Sequence, residues 1–227
     1  MSLLVSPLLQ PSVKTLIETF YLAFYDRAAD PAGLEYYTQL ASKRLPYAVN
    51  TFDFSDPGDL RNGGADLITQ FGRDFVYSSE AKSQSYWNSP SGGVFDSGKF
   101  VDKLFFNLSG QHMAFSGILF WQTVIDNGSV DVGQAVASIV NNLMSMGDSF
   151  SFQGFQNKIS ASDNFTTQVA NSKIVWNSAV QAESTKELNN VNYNPATLQS
   201  QTNDMKVFIQ TVGHSNDVGG GFDSFSM

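Results

Sequence analysis

The stretch Phe20-Tyr21-Leu22-Ala23-Phe24-Tyr25-Asp26-Arg27-Ala28-Ala29-Asp30-Pro31-Ala32-Gly33-Leu34-Glu35-Tyr36-Tyr37-Thr38-Gln39-Leu40 returns in outline further along the chain, at one constant displacement. Gly33 maps to Gly117, Leu34 to Ile118, Tyr36 to Phe120, Tyr37 to Trp121 and Leu40 to Val124. Upstream, Ile17, Phe20, Tyr21 and Phe24 map to Val101, Leu104, Phe105 and Leu108, and the register needs no gap. Self-similarity at a fixed displacement marks a duplicated structural unit. In both copies the apolar positions recur every three or four residues, which predicts helices and an all-α fold.

Working outward, Ser12 is read as the N-cap of a first helix whose inner face carries Val13, Leu16, Ile17, Phe20, Tyr21 and Phe24. Asp30 followed by Pro31 starts a second helix, with Leu34, Tyr37, Leu40 and Ala41 inside, that ends near Leu45 because Pro46 disfavours helical geometry before it. Residues 45–64 have no apolar period and read as a long loop, largely an insertion relative to the second copy. A third helix is expected over 65–77 and a Ser/Gly/Asn-rich connector over 78–98. The second copy repeats the pattern through Phe100–Leu108 and Gly117–Asp126, and then through an Asp131-capped helix with Val132, Ala135, Val136, Ile139, Val140 and Leu143 inside. Beyond Gly147 the periodicity predicts a helix over 162–180, a polar linker over 183–194 and a last helix over 198–212. The expected organisation is two related three-helix units packed together, over 1–97 and 98–160, followed by a smaller helical segment over 161–212 and a flexible tail over 213–227.

Composition narrows the partners. Lys and Arg number 13 against 21 Asp and Glu, a net charge of −8, and 15% of residues are charged where about 25% is usual. That field repels a phosphate backbone and an anionic bilayer alike, so the expectation is no nucleic acid and no acidic membrane surface. No stretch reaches the roughly 18 apolar residues of a membrane span, so no transmembrane segment is expected. Residues 1–10 lack the positive n-region of an amino-terminal export signal. Cysteine is absent, which excludes disulfides, thiolate nucleophiles and Cys-type zinc sites. An acidic, Cys-free, Ser/Asn/Gly-rich chain also matches bacterial proteins exported in one step by a carboxy-terminal signal.

The run Tyr25-Asp26-Arg27-Ala28-Ala29-Asp30-Pro31-Ala32-Gly33-Leu34-Glu35-Tyr36-Tyr37 resembles the signature of the domain-of-unknown-function 4214 family, an aromatic followed by Leu-Gly-Arg, Pro-Asp, Gly-Leu and Tyr-Trp. The second copy keeps Gly110, Gly117, Ile118, Phe120 and Trp121 but has Gln111 in place of the Arg and Ala114 in place of the Asp. The resemblance implies an extracellular helical module of type I secreted, surface-layer or calcium-binding repeat proteins of bacteria. It implies cell-surface glycan or lipopolysaccharide as partner and no catalytic residues, and self-association is expected because a surface scaffold of modest size works through lateral contacts. A similar helical pattern occurs in phycobilisome linkers, which resemble it as intracellular scaffolds but tend to be basic.

Few side chains suggest chemistry. Asp53, Asp56 and Asp59, spaced by three around Pro57-Gly58, are hard oxygen ligands on a loop and form a candidate calcium site, although the spacing is not that of an EF-hand. The competing reading is ordinary turn capping. Phe52 and Phe54 flank the loop as anchors or as a binding edge. Arg27 and Asp30 read first as capping residues of an interhelical turn. The aromatic residues Phe20, Tyr21, Phe24, Tyr36, Tyr37, Phe105, Phe120 and Trp121 read as core before sugar platform. His112 and His214 stand in unrelated segments with no metalloprotease spacing. The tail with Gly219-Gly220-Gly221-Phe222-Asp223 reads as a secretion signal or a flexible end. The function expected is therefore a non-enzymatic secreted or cell-surface structural or adhesive module. The alternatives are an intracellular scaffold and a carbohydrate-active enzyme working through the acidic loop.

Overall fold

Helix α1 (Val13–Tyr25) begins where the Ser12 hydroxyl accepts the Thr15 N–H, and it runs through the middle of the molecule. Its Phe-Tyr-Leu-Ala-Phe-Tyr run is apolar on every side, and a helix of that kind is covered on every side. Besides the expected inner face, Glu18, Thr19, Leu22 and Ala23 are also buried. The computed structural model describes residues 12–45, 52–53, 56–88, 93–147 and 149–218, with backbone alone over 213–218. The described residues form α2 (Pro31–Arg44), α3 (Pro57–Asp59), a π-turn (Leu60–Gly64), α4 (Ala65–Val76), α5 (Ser79–Lys82) and α6 (Ser97–Ser109). Then follow α7 (Phe115–Asp126), α8 (Val132–Ser145), α9 (Phe150–Asn171), α10 (Ser178–Asn190) and α11 (Pro195–Val218). The fold is all-helical. Its one sheet-like contact among the described residues is an isolated antiparallel bridge between Trp87 and Phe95.

The repeat is visible in the helix boundaries. The displacement that carries Gly33 onto Gly117 also carries both ends of α1 onto those of α6, Val13 onto Ser97 and Tyr25 onto Ser109, and the start of α2 onto the start of α7. The caps repeat as well: Asp96 stands where Ser12 does, and left-handed Gly110 (φ 72°) closes α6 where left-handed Asp26 (φ 58°) closes α1. Helix α1 packs on α2, α4, α6 and α9, while α6 packs on α7 and α9. The third helices, α4 and α8, pack chiefly on each other across the two copies. They approach at Gly72 and Gly133, where a Cβ on Gly72 would stand 2.2 Å from the Gly133 Cα. Between the helices Phe20, Tyr21, Phe24, Phe71, Phe75 and Phe100 form one aromatic cluster with edge-to-face and tilted contacts, such as Tyr21 on Phe75 at 4.9 Å and Phe24 on Phe100 at 5.1 Å.

Several expectations are corrected. The loop expected over 45–64 is helical from Pro57 onward: Asp56 caps a short turn that feeds through the π-turn into α4, with Gly63 (φ 105°) supplying the backbone freedom. The helix expected over 162–180 begins instead at Phe150, capped by Ser149, and ends at Asn171. Its inner row includes Lys158, Ser162 and Thr166, whose polarity hides the helical period. The expected linker over 183–194 is mostly α10, capped by Asn177, whose buried row Val180, Ser184, Glu187 and Leu188 is half polar for the same reason. Helix α9 passes through residue 160 without a break, and α11 continues to Val218. Residues 1–11, Phe54 and the tail beyond 218 lie outside the described residues, as does the side chain of His214.

Candidate functional site

The turn between α1 and α2, residues 26–30, carries Arg27 and Asp30, and the structure turns its polar groups inward. Arg27 is 4% exposed and grips Glu80 with two parallel hydrogen bonds, Nε to Oε1 at 2.6 Å and Nη2 to Oε2 at 2.8 Å. Its Nη1 donates to the Ala28 carbonyl at 2.8 Å, and its guanidinium lies over the rings of Tyr21 and Trp176 at 4.8 and 5.2 Å. Burial works against the charge on Arg27, but the Glu80 carboxylate outweighs it and raises the pKa. Asp30 accepts the Gly33 N–H at 2.7 Å, the N-cap that the sequence predicts. The turn also holds the carboxy-terminal helices. Ser184 of α10 accepts the Ala28 N–H, Thr166 of α9 donates to the Ala29 carbonyl, and Gln181 reaches Glu80 at 2.9 Å.

Beneath the turn lie two buried ionisable groups that the apolar pattern conceals. Glu18 accepts hydrogen bonds from the Ala29 N–H and the Ser162 hydroxyl through Oε2, while Oε1 is buried without a partner among the described residues. Desolvation raises its pKa, against the hydrogen bonds from Ser162 and Ala29, which lower it. Lys158, 1% exposed, lies 5.8 Å from the Phe106 ring. Burial lowers its pKa to about 8, Asp26 opposing the shift and Lys103 adding to it. Lys103 itself is paired with Asp26 at 3.0 Å. Lys158 stands in the row of Phe155, Ile159 and Ser162, a polar residue at a core position that the sequence could have flagged, whereas Glu18 lies off the apolar row of α1 and gives no such signal.

Two surfaces flank this interior. Between α2 and α9 opens a groove of about 450 Å³, a volume in the range of small-molecule sites. Pro31, Leu34 and Ala170 give it apolar walls, and Glu35, Gln39 and Asn171 bring hydrogen-bonding groups. The second surface is α7. Its turn, residues 110–114, lacks the ion pair: Gln111 is exposed, and Ala114 provides no side-chain cap. None of α7 is fully buried, and Phe115, Leu119 and Phe120 are 74%, 45% and 58% exposed. This corrects the reading of Phe120 as core. Tyr36 is likewise outside, whereas Phe20, Tyr21, Phe24 and Phe105 are buried and Tyr37 and Trp121 partly so.

The acidic loop serves the chain's own turns. Asp59 accepts the Asp53 N–H at 2.7 Å, Asp56 accepts the Gly58 N–H at 2.6 Å, and Phe52 is buried as the anchor of the segment. Among the described residues no three His, Asp or Glu side chains gather as a metal-binding group. His112 is exposed, pairs with Asp102 at 3.0 Å and stacks on Phe106 at 4.9 Å. Among the described residues no helix is long and apolar enough to cross a membrane. Comparison with protein-family models, with curated proteins and with solved structures gave no match to this chain.

Proposed function

We infer that the chain is a non-enzymatic structural module of the bacterial cell surface or of a secreted matrix, acting through contact with surface glycan or with its own kind. One observation carries this reading. The polar groups of the turn at 26–30 are used up inside the fold, while α7, the helix that follows the equivalent turn in the second copy, presents Phe115, Leu119 and Phe120 to solvent. Buried, partnered polar networks stiffen a scaffold, and exposed apolar helix faces mark interaction surfaces. The acidic, cysteine-free composition and the family resemblance support the extracellular setting. A glycan would be met in the α2–α9 groove, whose polar rim offers donors and acceptors.

The test is fractionation of the native host with detection of the full chain. Recovery in the washed surface or medium fraction is expected, and confinement to the cytosol would overturn the reading. Calcium is tested on the same purified protein by thermal unfolding with metal and then with chelator. A midpoint rise abolished by Asp59→Asn would assign the ion to Asp53, Asp56 and Asp59. An unchanged midpoint leaves those carboxylates as turn caps.

A further inference from the structure

The chain has two Asn-Gly steps, Asn62-Gly63 and Asn127-Gly128, each with an exposed asparagine and a glycine at positive φ, 105° and 73°. The side-chain amide carbon of an asparagine is an electrophile, and the backbone nitrogen of the next residue can close a ring on it. Glycine permits this most readily, because it has no Cβ to crowd the approach and its backbone swings through conformations closed to other residues. As dipeptides the two steps are alike. The fold treats their reacting groups differently.

At the second step both groups are held. The Asn127 Oδ1 accepts the Ser129 N–H at 2.9 Å, which fixes the carboxamide. The Gly128 N–H donates to the Ile125 carbonyl at 3.0 Å, which ties down the nitrogen that would attack. Breaking each bond costs free energy before the ring can close. At the first step the Asn62 side chain is exposed, and no hydrogen bond among the described residues holds it. The backbone there departs from helical geometry, with Asn62 at φ −85° and ψ 28° and Gly63 at φ 105° and ψ −6°. It lies in the π-turn between the three-residue α3 and the start of α4. A short exposed turn of this kind opens locally at a small fraction of the cost of global unfolding.

We propose that Asn62 is a site of spontaneous covalent modification, at which the Gly63 backbone nitrogen attacks the Asn62 side-chain amide and ammonia is released. The bond from the Gly63 nitrogen to Asn62 Cγ forms, the Cγ–Nδ2 bond breaks, and the proton of the Gly63 nitrogen leaves with the ammonia. Water then opens the succinimide at either of its carbonyls, leaving an aspartyl or an isoaspartyl residue at position 62. Water is the only co-reactant. Either product adds one negative charge to a segment that already carries Asp56, Asp59 and Asp66 in a chain of net charge −8. The inference goes beyond the structural-module reading and does not depend on it.

The test holds the full chain folded in mildly alkaline buffer at physiological temperature, beside a sample in denaturant, and follows both for weeks by peptide mapping with mass spectrometry. Isoaspartyl residues are counted by enzymatic methylation. In the folded chain Asn62 should be lost several-fold faster than Asn127. In denaturant, where neither step is held, the two rates should converge. Asn62→Gln must close a larger ring, so it should abolish the isoaspartyl label at position 62, and its thermal midpoint should hold because the side chain is exposed. Loss of Asn127 as fast as Asn62 in the folded chain would overturn the proposal. So would an Asn62 that survives in the folded chain while the denatured chain loses it. A several-fold difference that persists in denaturant would trace the selectivity to flanking residues rather than to the fold, and would overturn it as well.

Discussion

Helix α2 sets Pro31, Leu34 and Glu35 along the groove beside α9, whereas α7, its equivalent in the repeat, carries Phe115 and Leu119 in solvent with no such neighbour among the described residues. The contrast runs through the adjoining turns. In the first copy Arg27 is buried against Glu80 and Asp30 caps the next helix. In the second, Gln111 and Ala114 at the same places make neither interaction. One step back, Glu18 is sealed between α1 and α9, and its equivalent Asp102 pairs with an exposed histidine. The carboxy-terminal helices α9 and α10 bond to the turn at 26–30 through Thr166 and Ser184.

The sharpest test removes the ion pair from one copy and its equivalent from the other. Arg27→Ala leaves Glu80 without its charge partner and strips the cation from Tyr21 and Trp176. Losing one partner of a buried pair costs on the order of 3 kcal/mol. In a chain of this size that lowers the thermal midpoint by roughly 6–12 °C. Gln111→Ala, at an exposed position, should move stability by less than about 0.5 kcal/mol. Equal effects would mean that the two turns are not as different as their contacts indicate.

The junction between the copies comes next. Gly72→Ala would bring a methyl to 2.2 Å from the Gly133 Cα, a backbone atom that can yield only by parting α4 from α8. Overpacking of this kind costs about 2 kcal/mol, and chemical denaturation should read it as a lower midpoint with an unchanged slope.

The buried acid of the first copy should leave a pH signature. Burial raises the pKa of Glu18, so the folded chain holds this proton more tightly than the unfolded chain does. Its contribution is therefore most favourable below the ordinary value of 4.5 and is lost as the pH rises through the folded value. Glu187, pushed up to about 7 mainly by burial, acts in the same direction. Stability should thus decline between mildly acidic and neutral pH. Glu18→Gln should flatten part of that decline in a pH series of unfolding midpoints. The smallest effect is expected at the exposed aromatic pair. Tyr36→Ala and Phe120→Ala should each change monomer stability by less than about 0.5 kcal/mol, because neither ring is in the core. A larger loss at either would place that ring in a contact that its exposure does not reveal.

The all-helical class, the register of the repeat, the caps Ser12, Asp30 and Asp131 and most of the apolar core were legible in the sequence. Each depends on spacing or on a residue's bonding to its own near neighbours, and such local physics survives without a partner. Helices α9 and α10 were misplaced because their inner rows hold Lys158, Ser162, Thr166, Ser184 and Glu187. Of these, Ser162, Thr166 and Ser184 find their partners in Glu18 and the turn at 26–30, far away in the chain.

By itself, then, the sequence determined most of the helices, the register of the repeat and the acidic, cysteine-free composition. Tertiary structure alone decided which copy of the motif would be enclosed. It made Arg27 a strut, aligned the Asp53, Asp56 and Asp59 segment with the turns it caps, and left α7 uncovered. The reason is that burial belongs to the assembled chain. Helical period marks which side chains share a face, but only the arrival of another helix determines whether that face is core or surface.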